Sequence, residues 1–346
     1  MPTVALDAAG ADAPPAEFAR VSVAGAALAL RESPDLEVVL VGDRRNLEAA
    51  LETARIDHAR VRVEHAPTVI TMDEHAAEAI RSRKDSSVVR AVALVRSGEA
   101  GAAVSMGHSG ATLAAGLLGI GRVTGIERPA ILATVPTLRG RTALLDVGAN
   151  ADSRPTWLRD FAVLGQAYAE AFFPEQEPSV GLLSLGSEAH KGSDLVLDAR
   201  RLIGETPGIN FRGHVEGHDL LAGTTSVVVT DGFTGNVLLK GSEGAVNALM
   251  RWIRDAFNAS LPARIAGLAA RPVLAPVRRR LDPEEFGAMP LVGLNGLLFI
   301  GHGSSGPRAV RSGLLGAAQS VRADLLEAVR ARFAALRESG LLHSRP

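Results

Sequence analysis

The feature that most constrains the fold of this chain is an alternation. Short apolar runs, many of them β-branched, occupy residues 3–6, 37–41, 61–64, 102–105, 130–135, 142–146, 179–185, 227–230 and 297–300, and read as buried strands. Between most of them lie segments with the period of an amphipathic helix, at 44–55, 74–83, 87–97, 156–172 and 195–203. Strand and helix in turn imply right-handed crossovers and an α/β fold with a mainly parallel sheet covered on both faces. No internal repeat and no low-complexity linker interrupts the sequence, so residues 1–346 are expected to form a single α/β domain, with 47% hydrophobic residues to fill its core.

In open α/β sheets ligands bind beyond the carboxyl ends of the strands, and here four of the loops that follow the runs are rich in glycine. They are Asp7-Ala8-Ala9-Gly10-Ala11-Asp12, Ser105-Met106-Gly107-His108-Ser109-Gly110-Ala111, Asp231-Gly232-Phe233-Thr234-Gly235-Asn236 and Gly301-His302-Gly303-Ser304-Ser305-Gly306. Three of them lead into helical segments. These would aim free N–H groups and positive dipole ends at one region, which suits an anion and phosphate first of all. Any single loop of this kind is equally what a chain needs to reverse direction, but four make turn geometry alone a weaker account. Asp7, Gly10, Ser105, His108, Ser109, Gly110, Asp231, Gly232, Thr234, Gly235, His302 and Gly303 are therefore the candidate phosphate- and substrate-binding residues.

Several classes are excluded or unsupported. No phosphate-loop or dinucleotide signature is present, no H-E-x-x-H occurs, and the nine histidines show no ligand spacing, so neither a nucleotide cofactor nor a metal is expected. Without cysteine there can be no disulfide, thiolate metal site or cysteine nucleophile. A formal net charge of −1 gives no bulk positive field for nucleic acid. The start of the chain lacks a basic leader and meets Asp7 before any long apolar stretch, so a cytosolic location is the default expectation. Residues 100–121 carry no Asp, Glu, Lys or Arg, yet their glycines and hydroxyls make a strand-loop-helix unit and not a membrane span.

In this order, Val4-Ala5-Leu6-Asp7-Ala8, residues 81–87, Gly125-Ile126-Glu127-Arg128-Pro129-Ala130, Leu145-Asp146-Val147-Gly148-Ala149-Asn150, residues 231–236 and residues 291–305 form a specific combination. With these segments the chain resembles, over nearly its whole length, the bacterial acyl-carrier-protein:phosphate acyltransferases of phospholipid synthesis, the PlsX family. The resemblance implies transfer of a fatty acyl group from acyl carrier protein to inorganic phosphate, giving acyl phosphate. It also implies a homodimer of three-layer α/β/α sandwich subunits, related to phosphotransacetylase and isocitrate dehydrogenase, that works at the cytoplasmic membrane surface as a peripheral protein.

That chemistry needs donors to hold the phosphate dianion in line with a thioester carbonyl and others for the developing oxyanion, with no acyl-enzyme required. Lys191, in Gly186-Ser187-Glu188-Ala189-His190-Lys191-Gly192, offers a mobile cation, and Asn236 an amide at a helix start. Both fall on positions that the resemblance marks as functional, and both are the candidate catalytic residues. Lysine in a polar loop is otherwise a solvated charge, and asparagine at a helix start an N-cap. Asp7 and Asp231 orient donors or merely cap the next turn. Departures from the family's pattern are Ala9 and Ala11 around Gly10, His108-Ser109 in place of Asn-Thr, and Ile300 where a lysine is common; they leave tuned phosphate affinity or altered activity open. Two rivals accordingly stand: a phosphotransacetylase-like enzyme using acyl-coenzyme A (or a dehydrogenase of the same broad fold), and a catalytically silent module that binds acyl carrier protein or membrane.

Residues 251–280 hold seven arginines against the single Asp255, a net of +6 in a chain whose total is −1. Phe257, Leu261, Ile265 and Leu268 recur at helical spacing beside them, while Pro262, Pro272 and Pro276 are expected to break any long helix. Residues 245–285 thus read as a basic amphipathic helical hairpin. Arg264, Arg271, Arg278, Arg279 and Arg280 are the candidate contacts to the acidic carrier protein or to an anionic membrane; a dimer-interface or core-covering hairpin with solvated arginines is the bland reading. Residues 307–336 form a long helical pattern, with Leu314, Val321, Leu325 and Val329 packed on the sheet and no chemistry assigned.

Overall fold

The computed structural model describes residues 1–173 and 178–341, and in these an eleven-stranded sheet carries helices on both faces. The strands are β1 (Thr3–Asp7), β2 (Glu37–Gly42), β3 (Val61–His65), β4 (Ala102–Ser105), β5 (Ala130–Thr137), β6 (Gly140–Leu145), β7 (Val180–Leu183), β8 (Phe211–Val215), β9 (Val227–Val229), β10 (Ala288–Val292) and β11 (Leu297–Gly301). Their order across the sheet is β3-β2-β1-β4-β11-β10-β5-β6-β9-β7-β8. Nine of the eleven match the apolar runs; β8 and β10 carry no such run. The β8 segment alternates with Arg212, Gly213 and His214 at the sheet's edge. In β10, Pro290 lacks an N–H for the ladder and sits where the strand changes partner, since residues 288–290 pair with β11 and residues 291–292 with β5.

The α/β class and the mainly parallel sheet are borne out, but the sheet contains two opposed halves. Strands β3, β2, β1, β4 and β11 run parallel to one another, and so do β6, β9, β7 and β8. Between the groups, β11 to β10, β10 to β5 and β5 to β6 are all antiparallel. Three reversals leave the second group running against the first, so the carboxyl ends of the two groups lie on opposite rims of the sheet.

Alternation along β5 shows how the layers form. Ile131, Ala133 and Val135 join a core on one face with α3 (Ala76–Ser82), α4 (Ser87–Ser97), α5 (Ser109–Gly119), α8 (Gly217–Ala222) and the start of α9 (Gly232–Asn258). Ala130 and Leu132 join the opposite face, where α6 (Pro155–Phe172), α7 (Asp194–Gly204) and α12 (Leu325–Glu338) pack. On that same side of the other half lie α1 (Pro15–Glu32), α2 (Arg44–Thr53) and α11 (Pro307–Arg322).

Two expectations about helices are corrected. The basic segment is not broken by its prolines: α10 runs Leu261–Arg280, through Pro272 and Pro276, as one helix with no buried residue. On such an exposed helix the carbonyls that lose their donors stay accessible to water, so the backbone tolerates both rings. The 307–336 pattern, in contrast, is two helices, α11 and α12, separated by Asp324 at φ 48°. The 27-residue α9 starts well before the expected hairpin and, at 1.5 Å per residue, spans about 40 Å. Among the described residues no helix is long and apolar enough to cross a membrane.

Candidate functional site

Because the two halves of the sheet oppose each other, the four glycine-rich loops do not meet at one rim. Those at residues 7–12, 105–111 and 301–306 follow β1, β4 and β11 and share the first rim; the loop at 231–236 follows β9 and lies on the second. This corrects the expectation of a single fourfold cradle.

At the first rim the polar groups are spent on holding the loops together. Buried Asp7 accepts the N–H groups of Ala9 (3.3 Å) and Gly10 (3.1 Å) on one oxygen and the Ser105 hydroxyl (2.8 Å) on the other. Burial pushes its carboxyl above the usual range even against these donors. Ser105 Oγ also accepts the Gly107 N–H at 3.3 Å, and a methyl at Gly107 would collide with the Gly10 carbonyl. The Asp12 N–H donates to the Gly303 carbonyl, tying the first and last loops at 3.1 Å. Neither Ala9 nor Ala11 has positive φ, so both alanines fit this loop without strain.

His108 is the N-cap of α5. Its Nδ1 accepts the Ala111 N–H at 3.3 Å, which leaves Nε2–H to donate to the Glu74 carbonyl at 3.2 Å. A ring nitrogen here does what an asparagine oxygen does at an N-cap, which accounts physically for the His108 departure. Ser109 is exposed in the first turn of α5 beside Gly110. Ile300 is buried in the core under α5, yet a cation does reach this rim: Lys240, two turns into α9, acts on His302. His302, exposed on one side at this rim, is held below its ordinary pKa by its partial desolvation and then by that lysine.

The second rim holds the catalytic candidates. Asp231 caps α9, its carboxylate accepting the Thr234 N–H at 2.8 Å, and its carbonyl accepts the Gly235 N–H. Buried Gly232 and Gly235 lie directly on the loop that follows β6: side chains there would collide with the Asn150 and Asp146 carbonyl oxygens. Asn236, next along the helix, is exposed, its side-chain amide makes no hydrogen bond to another described residue, and it stands over Gly148.

Asp146 organises this rim and was not singled out in the sequence. Fully buried, its carboxylate accepts the N–H groups of Ile131, Gly148, Ala149 and Asn150 at 2.9–3.1 Å, plus the Asn150 side-chain amide at 2.9 Å. Burial raises its pKa, with the Ala149 N–H and the Asn150 amide opposing. An acid at a strand's end followed by Gly148 and Asn150 was the available signal.

Lys191, after β7, is on the same rim as Asn236. Its ammonium pairs with Glu188 at 2.8 Å, both side chains about half exposed, and that pairing raises the lysine's pKa. The loop is closed by the Ser184 hydroxyl donating to the Lys191 carbonyl (3.0 Å) and by a His214 Nδ1 contact to the Glu188 carbonyl (3.0 Å). Glu216 is close enough to act on Lys191, and the adjacent Gly217 lies under Leu238 of α9. No hydrogen bond joins Lys191 and Asn236 directly. Arg264, Arg271, Arg278, Arg279 and Arg280 are all exposed on α10, and among the described residues none pairs with a carboxylate. No cluster of metal-ligating side chains occurs among the described residues.

One cavity, of about 370 Å³, lies between the rims over β5 and β10, walled by α9 from Leu239 to Asn247 and by Leu221, Leu281 and Phe286. Lys240, Glu243 and His302 are its charged or titratable lining groups.

Comparison with known proteins agrees with this architecture. Residues 2–328 match the family model described as fatty acid synthesis protein. A phosphate acyltransferase of Thermus thermophilus is 52% identical over 333 residues, covering 96% of this chain and 99% of that protein. One from Pelotomaculum thermopropionicum is 44% identical over 337 residues, covering 97% and 96%. In fold, the chain is similar to a phosphotransacetylase from Streptococcus pyogenes, with a TM-score of 0.61 at 17% identity over 93% of this chain and 94% of that one. The EutD phosphotransacetylase from Staphylococcus aureus gives 0.58 at 16% identity, over 92% and 94%. Shared sequence over almost the entire length of both partners carries the conclusion: the chain belongs to the phosphate acyltransferase family of fatty acid synthesis proteins.

Proposed function

We propose that the chain transfers a long-chain fatty acyl group from acyl carrier protein to inorganic phosphate, giving acyl phosphate for phospholipid synthesis. The observation that carries the reading from family to site is Asn236, whose unpaired side-chain amide stands near the head of α9, on the same rim as Lys191. Beyond the Thr234 and Gly235 N–H groups that Asp231 engages, the head of α9 adds the positive end of a long helix. Phosphate held there attacks the thioester carbonyl carbon. As the C–O bond forms, the carbonyl electron pair moves to oxygen; collapse breaks the C–S bond, and the carrier thiolate leaves and takes a proton from water. Asn236 donates to the developing oxyanion or to phosphate, and Lys191, swung from Glu188, balances the dianion. Phosphate is itself a competent nucleophile, so this addition and collapse needs no acyl-enzyme.

In this reading the first rim contributes structure, since Asp7, Ser105 and His108 have their polar atoms engaged within the loops. The unpaired arginines of α10 receive the acidic carrier protein and rest on an anionic cytoplasmic membrane surface, with a homodimer covering the apolar face of the hairpin. The test is incubation with palmitoyl carrier protein and radiolabelled phosphate. Label recovered in acyl phosphate supports the reading, and its absence sinks it; equal rates with palmitoyl-coenzyme A would instead favour a donor-indifferent phosphotransacylase.

A further inference from the structure

We infer that the cavity between α9 and the sheet seats the substrate's acyl chain, so that α9 presents the acceptor chemistry at its head and gauges chain length along its flank. This rests on the acyl-transfer reading above. At about 370 Å³ the cavity is within the size range of small-molecule sites. Its floor is Ala133, Val135 and Met289, and its walls include Leu239, Val246 and Phe286. A phosphate or a sugar would leave that apolar surface unfilled; a hydrocarbon chain would fill it.

Helical spacing connects the cavity to the candidate catalytic amide. Asn236, Leu239, Lys240, Glu243, Val246 and Asn247 recur at three- and four-residue steps and so share one face of α9. The last five line the cavity. A chain whose thioester lies at Asn236 therefore has the cavity directly beyond it, beginning at Leu239. The α9 wall, where Lys240 and Glu243 pair with each other between Leu239 and Val246, extends to Val246, about 15 Å along the helix axis from Asn236, and faces the apolar floor throughout. The terminal methyl would lie toward Val246 and Phe286. Ala133 is the smallest of the floor residues on β5, so bulk there raises the floor from below while bulk at Val246 closes the far wall.

The test uses Val246→Trp and Ala133→Val in the full chain, each checked for folding by circular dichroism. Two readouts are made: saturable binding of the fluorescent fatty acid cis-parinaric acid, and the ratio of acyl phosphate formed from palmitoyl and octanoyl carrier protein. Each methylene kept out of an apolar site is worth about fourfold in affinity, so excluding only two or three lowers both readouts at least about tenfold. Val246→Trp should do so, with Ala133→Val shifting both in the same direction by less. Unchanged binding and an unchanged ratio in both variants overturn the inference. If Val246→Trp fails to fold, Ala133→Val alone decides. Fatty acid binding weakened in the variants, with no acyl phosphate formed even by the wild type, upholds the chain site while removing the transfer reading; acyl phosphate at an unshifted ratio with unchanged binding does the reverse.

Discussion

Asn236 and Lys191 reach the second rim from different strands, and neither side chain is buried or tied into the core. Their loss should therefore leave stability nearly unchanged while acyl phosphate turnover by Asn236→Ala and by Lys191→Ala falls at least about tenfold, or about 1.4 kcal/mol of barrier. Steady-state rates with thermal midpoints measured alongside check this, and near-normal turnover removes them from the site. Asp160 poses a different question. It is buried beside Arg159 at 2.7 Å, with one carboxylate oxygen lacking a partner, and burial raises its pKa to about 6. The folded chain thus holds this proton more tightly than the unfolded one; the associated stability is complete below the unfolded value near 4 and is lost as pH rises through about 6. Asp160→Asn should remove that part of the pH dependence, as denaturant titrations at pH 4 to 7 would reveal; an unaltered slope would contradict the assignment. At this scale the sequence was partly legible. The candidates at Asn236, Asp231 and Lys191 lie together on one rim because loops after strands are where side chains escape the core. Asp146 is harder to read because its role is to gather backbone N–H groups from residues 131 and 148–150, and its sequence trace is only an acid at a strand's end followed by Gly148 and Asn150.

Among elements, α9 depends on glycine at its head and not in its middle. A side chain at Gly235 meets the Asp146 carbonyl, whereas one at Gly241 meets nothing within 4 Å. Gly235→Ala should displace the first turn, costing about 1–3 kcal/mol and most of the activity. Gly241→Ala should stabilise by about 0.4–1 kcal/mol through the unfolded chain. Thermal unfolding of the two variants distinguishes these cases, and equal midpoints would refute the packing argument. On α10 the reversal of Arg278, Arg279 and Arg280 to glutamate should weaken binding to carrier protein or to anionic vesicles without unfolding, since none of them is buried. Binding of both partners at low salt, unaltered by the reversal, would dismiss the docking role. The alternating runs made nine strands readable, but direction was lost between β5 and β6. The runs at 130–135 and 142–146 are separated by six residues, too few for a parallel crossover, and that spacing already implied a hairpin. Pro290 hid β10, and Pro272 and Pro276 suggested breaks in a helix none of whose residues is buried.

For the molecule as a whole, the hairpin of α9 and α10 exposes Trp252, Leu261, Ile265, Leu268 and Val273, each more than half accessible. A row of that kind is what a second subunit or a lipid surface covers. The homodimer proposed above, sealed through this row, should separate into monomers in sedimentation velocity on Trp252→Glu, whereas a monomeric wild type would exclude that arrangement. Because α9 is a single uninterrupted rod, its head, flank and tail cannot be re-aimed separately. Inserting one residue near Gly244 would swing everything downstream by about 100° about the axis relative to Asn236, while four residues would restore the bearing to within about 40°. The phase of one helix therefore sets which way the arginine-bearing arm faces when the amide at the other end is in place, and evolution can lengthen that arm only in whole turns.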